Sequence, residues 1–144
     1  DRGRAAAGAA RKLAFECVVC PRAENYLHGR ADLGDTIKRL QAYQEAGADV
    51  LFAPGLNTSE EVREVCRSID RPFNIVHGPR KEALTVEQVG ALGVKRISTG
   101  GMMHAAAMSA MIGAAKEMAG GTWEFTKAMP FAAEIDALLT KGTP

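Results

Sequence analysis

Short apolar runs alternate with longer amphipathic ones along the 144-residue chain. "FECVVC" (15–20), "DVLFAPG" (49–55), "RPFNIVHG" (71–78) and "VKRIST" (94–99) read as four strands. Strand-sized apolar runs of this kind suit a parallel sheet buried on its faces. Between them lie helical patterns. Residues 3–13 predict a first helix. "DLGDTIKRLQAYQEAGA" predicts a second, with Ile37, Leu40, Tyr43 and Ala46 on one stripe, Asp32 as its cap and Gly47 closing it. "TSEEVREVCRSI" opens on Thr58 or Ser59 ahead of acidic residues, a capping-box pattern. "TVEQVGALG" starts at Thr85 and stops at Gly93. A long Met/Ala-rich helix follows Gly100 and Gly101, and "PFAAEIDALLTKG" closes the chain. Strand and helix alternate throughout, which predicts β–α units of an α/β barrel or doubly wound sheet. No linker divides them, so residues 1–144 are read as a single domain.

Composition narrows the function classes. Eighteen basic and seventeen acidic residues leave a formal charge of +1, which argues against nucleic acid or an anionic membrane as partner. The uncharged stretch 100–115 is shorter than the ~20 residues a bilayer requires, and His104 and Ser109 interrupt it. Its small residues fit a packed interface instead. The opening "DRGRAAAGAARKLAF" is a charged, Ala-rich helix and not a signal peptide, so a cytoplasmic setting is expected. The chain starts without Met, and an upstream part is expected.

Cys17, Cys20 and Cys66 are too few for a disulfide framework. Cys17 and Cys20 form a CxxC, open to a zinc or redox reading. Their place inside an apolar run, with no second CxxC, favours buried structural thiols.

Parallel α/β folds gather chemistry at the carboxyl ends of their strands. After the first run come Arg22, Glu24, Asn25 and His28; after the second, Pro54, Gly55 and Asn57. The third contributes Asn74 and His77, and the fourth Ser98, Thr99, Gly100 and Gly101. An arginine there can fork onto a carboxylate or phosphoryl group, and a neighbouring glutamate can take a proton or a metal. The STGG turn before a helix offers free backbone N–H groups to an anion. Alternatives stay open at each position. Arg22 and Glu24 could be a solvated ion pair, His28 and His77 loop or packing residues, His104 an interior or interface residue, and Ser98 and Thr99 simple helix caps.

The stretches "PRAENYLHGRADLGDTIKRLQAYQEAGADVLFAPGL", "RPFNIVHG", "ALGVKRISTGG" and "GTWEFTKAMPFAAEIDALL" together resemble the isocitrate lyase / phosphoenolpyruvate mutase family. From about Phe15 to Leu139 the chain looks like its carboxy-terminal half. The resemblance implies a partial (β/α)₈ barrel, approximately strands four to seven with their helices and a C-terminal helix. It further implies a magnesium-dependent lyase or mutase that makes or breaks a C–C or P–C bond beside an α-keto acid carbonyl, through an enolate. Arg22 and Glu24 fall at catalytic positions, and Arg22, Asn25, Asn74, Gly100 and Gly101 at substrate-binding ones. The family's metal-holding aspartates would lie before residue 1, so this chain is expected to supply no main magnesium ligand. A small α-keto acid or phosphonate is the implied substrate, and a homo-oligomer the implied assembly. The alternative is an inactive barrel remnant that serves binding or assembly. Two departures stand out: Pro21 precedes the arginine, and "MMHAAA" after STGG carries no arginine.

Overall fold

A computed structural model describes residues 2–77, 84–129 and 132–141. By internal contacts the chain falls into two compact units, Asp1–Gly100 and Gly101–Pro144.

The first unit is α/β. Helix α1 (Arg2–Ala10) leads to an extended segment, a 3₁₀ turn (Asn25–His28) and α2 (Leu33–Glu45). Strand β1 (Leu51–Phe52), α3 (Ser59–Ser68), β2 (Phe73–Val76), α4 (Val86–Ala91) and β3 (Arg96–Ser98) follow. The three strands form one parallel sheet in the order β1-β2-β3. The caps expected at Asp32, Thr58 and Thr85 are present, whereas neither Ser98 nor Thr99 caps the helix that follows β3, whose N-cap is Gly101. The Asp32 carboxylate accepts from the Asp35 N–H, and Thr58 and Thr85 form reciprocal capping boxes with Glu61 and Gln88. Gly47 and Gly93 take positive φ just past their helices, where the chain must reverse.

One face of the sheet carries Leu51, Ala53, Phe73 and Ile75. These pack with Leu40 of α2, Val62 and Val65 of α3 and Val89 of α4 into the core. Phe52, Asn74 and Arg96 alternate with these residues and so belong to the opposite face.

"FECVVC" departs from expectation. Residues 15–20 run beside β1 but are not a strand; the single ladder contact is an isolated parallel bridge between Arg22 and Phe52. The reason is local. At alternate positions 19, 21 and 23, the N–H of Val19 donates to the Asp49 carboxylate at 2.8 Å, and that of Ala23 to the Phe52 carbonyl at 2.9 Å. Pro21, between them, has no N–H to give. Nor are the thiols fully buried: Cys17 and Cys20 are half-buried and free, while Phe15 and Val18 are exposed.

The second unit holds α5 (Met102–Ala119), a 3₁₀ turn (Glu124–Ala128) and α6 (Ala132–Lys141). The Glu117 side chain accepts from the Phe125 N–H at 2.8 Å, tying the turn back to α5. His104 is exposed on α5, not interior to this chain. Among the described residues no helix is long and apolar enough to cross a membrane.

Candidate active site

The open face of the sheet is built from one register row. Arg22 pairs with Phe52, Phe52 with Asn74, and Asn74 with Arg96. In a parallel ladder, residues so paired project to the same side. Arg22 leans along this row, its guanidinium carbon 5.2 Å from the centroid of the Phe52 ring. A cation over an aromatic face is attracted to its quadrupole and held in place. The Arg22 Nε lies 2.8 Å from Glu24 Oε1, and His28 Nε2 lies 3.5 Å from Glu24 Oε2. Half of the Arg22 side chain remains exposed, so its outer nitrogens can reach a further anion.

Pro21 and the bridge at Arg22 end the extended segment, and the chain turns at once into the 3₁₀ helix. Gly55, at φ 97°, allows this turn to close over the end of β1: a Cβ there would stand 2.7 Å from the Cβ of Tyr26. The Tyr26 hydroxyl donates to Glu61 at 3.0 Å, clamping the loop to the start of α3. Burial, reinforced by that carboxylate, pushes the Tyr26 phenol up to about 12. For Glu61, burial acts to raise the pKa. The N–H groups of Asn57 and Thr58 and the Tyr26 hydroxyl outweigh it, and the carboxyl sits below its ordinary value.

Asn25 plays a positional part in this arrangement. It is buried, and its Nδ2 donates toward the carbonyls of Arg30 and Asp32 and to Thr36 Oγ1 at 2.8 Å. Its Oδ1 is buried without a hydrogen-bond partner. Beside it opens a cleft of about 600 Å³, with Arg22, Arg30 and Arg39 against Glu24 and His28.

Asn74 is fully buried within the sheet. Its Nδ2 donates to Ser98 Oγ at 3.2 Å and its Oδ1 accepts from Arg96 Nη1 at 2.9 Å. The Ser98 hydroxyl in turn donates to the Ile75 carbonyl at 3.2 Å. The structure thus brings together Arg22, Glu24 and His28 and sets Asn74 in the same row. Gly100 follows β3 at φ 53°, where a Cβ would meet Val76 at 3.4 Å, and Gly101 is the residue before α5. His77 is half-buried and its N–H donates to the Ser98 carbonyl, whereas the Asn57 N–H serves Glu61. Phe52 and Arg96 escaped the sequence reading. The signal for Arg96 was present: it stands two residues before Ser98, hence on the same face of its strand.

Metal donors do not gather here. Among the described residues no three His, Cys, Asp or Glu side chains converge as a metal site. Glu24 already faces Arg22 and His28.

The phosphoenolpyruvate phosphomutase family profile matches residues 1–119. The chain belongs to that family. A Burkholderia cenocepacia protein, provisionally described as a lyase/mutase, has a crystal structure that superposes with a TM-score of 0.91 at 45% identity, over 99% of this chain and 51% of its own. An uncharacterised Mycobacterium tuberculosis protein is 36% identical over 125 residues, 86% of this chain and 46% of its own length. A phosphonopyruvate hydrolase crystallised with oxalate and magnesium matches at 27% identity and a TM-score of 0.73, over 94% of this chain and 50% of that one. The chain therefore spans about half the length of these family relatives.

Proposed function

We propose that this chain forms the substrate-anchoring wall of a lyase or mutase acting beside the carbonyl of a small α-keto acid or phosphonate. The observation that carries this reading is the placement of Arg22. It sits at a strand end, leans over Phe52, is braced by Glu24 and keeps its outer face open. Such a guanidinium offers a planar fork to a carboxylate or phosphonate. Kinship with a phosphonopyruvate hydrolase that binds oxalate supports that ligand chemistry. The parallel sheet with its edge segment is read as strands four to seven of a (β/α)₈ barrel, with residues 1–144 as the carboxy-terminal portion. Gly100 and Gly101 would lend backbone N–H groups at the end of β3. Asn25 would keep the loop behind Arg22 in shape, and Glu24 would orient the guanidinium or relay a proton through His28.

Magnesium, held by that hydrolase, has no fitting donor set among the described residues. Metal ligands belong, on this reading, to strands outside residues 1–144. The open edge beside residues 15–20 would be completed by those strands or by a second copy, since unpaired sheet edges invite pairing.

A direct test joins the chain to the unmatched part of the Burkholderia cenocepacia protein and follows deuterium exchange beside an α-keto acid carbonyl by NMR. Exchange is the signature of an enolate, whichever bond is later cleaved. It should appear in the chimera and fall by at least a hundredfold, about 3 kcal/mol, in Arg22→Ala. A folded chimera that binds the acid without exchanging it would favour a binding or assembly module instead.

A further inference from the structure

The exposed arginine of β3 has no part in the function proposed so far, yet it sits in the same row as Arg22. Their Cα atoms are separated by three strand spacings, about 14 Å. Both side chains close that gap. Arg22 lies over Phe52 of β1, while Arg96 reaches inward until its Nη1 meets Asn74 Oδ1 of β2 at 2.9 Å. The two guanidinium groups are thus drawn in from the outer members of the row, one to a side chain of β1 and the other to a side chain of β2.

Each is held from below. Phe52 supports one through its ring, and Asn74, its amide fixed by Ser98, supports the other. Cys20, two residues before Arg22, is close enough to feel both charges. Burial raises its thiol pKa, and the charges of Arg96 and Arg22 each act to lower it. The two arginines differ in their partners. Arg22 has the Glu24 carboxylate, whereas Arg96 is held by a neutral amide and has no ion pair among the described residues. The row therefore keeps an uncompensated positive charge on its β3 side.

We infer that Arg96 is the second arm of the anion seat, so that a ligand with two anionic ends is held between Arg22 and Arg96 across the open face of the sheet. This rests on the reading of that face as a substrate wall and adds to it a binding residue on β3. Asn74 then serves as a positioning residue: its amide oxygen is occupied by Arg96 and its nitrogen by Ser98, so it presents the guanidinium instead of touching the ligand.

The test is a titration of the arginine-labelled 144-residue chain with oxalate, with acetate as the single-ended comparison, read from the guanidinium NMR signals of Arg22 and Arg96. Both signals should move with one saturating curve for oxalate. Acetate should bind at least tenfold more weakly. Arg96→Ala should weaken oxalate about tenfold, and Arg96→Lys, which keeps the charge and a donor for Asn74, should recover part of the loss. Oxalate moving the Arg22 signal alone would overturn the inference and leave the substrate wall standing. Movement of neither signal would overturn both. Movement of Arg96 alone would overturn the shared seat and the reading of Arg22 together.

Discussion

A single arginine acquires its meaning from what surrounds it. Arg22 could have been a solvated partner of Glu24 and no more. The aromatic ring beneath it and its half-open side chain are what turn the pair into a candidate anchor. Buried polar groups bear on stability as well. Asn74→Ala leaves Arg96 without its acceptor and Ser98 Oγ without a donor inside the sheet, and should cost about 1–3 kcal/mol in urea unfolding. Tyr26 and Glu61 limit stability at both pH extremes. Glu61 titrates below its ordinary value in the fold, so its contribution is present above the ordinary carboxylate pKa and is lost as pH falls through the lowered one. Tyr26 is raised to about 12, so its contribution is full below about 10 and declines as pH rises toward 12. Melting temperatures of Glu61→Gln and Tyr26→Phe, set against the parent across pH, should show a weaker acid and a weaker alkaline dependence respectively. Unchanged pH curves would rule out this pair as their source.

Elements were the most legible scale. Asp32, Thr58 and Thr85 announce their helices in the sequence because a side-chain oxygen three residues ahead of a free N–H is a local arrangement needing nothing from the rest of the fold. Thr58→Ala should cost about 1 kcal/mol by thermal or urea unfolding. Gly47→Ala should cost roughly 1–2 kcal/mol, since the new Cβ must accept φ 95° and stand 3.2 Å from Ala7 Cβ. Residues 15–20 were the least legible element. Their composition reads as a strand, but whether a ladder forms depends on Pro21 falling at a donor position and on the side chain of Asp49 capturing Val19, and neither is visible in an apolar run. Half-buried Cys17 and Cys20 follow from the same cause. Phe52 was missed for a related reason, since a register row exists only once strands are paired, whereas Arg96 could have been found from its spacing to Ser98.

At the scale of the whole molecule, the physical reading of the sequence ended at an α/β domain with an anion-friendly strand end. Family resemblance supplied the chemistry, and the match over residues 1–119 now places the chain in that family. The two faces of the sheet differ: one is committed to the core, and the other holds Arg22 and Arg96. What the described residues do not assemble is a metal centre. On the proposed reading, this face binds a small carboxylate through Arg22. Calorimetric titration of the 144-residue chain with oxalate, once in chelator and once in magnesium, tests it most directly. Saturable binding in both conditions, lost in Arg22→Ala while the variant keeps its melting temperature, is the predicted result. Absence of binding, or binding that Arg22→Ala leaves intact, would contradict it.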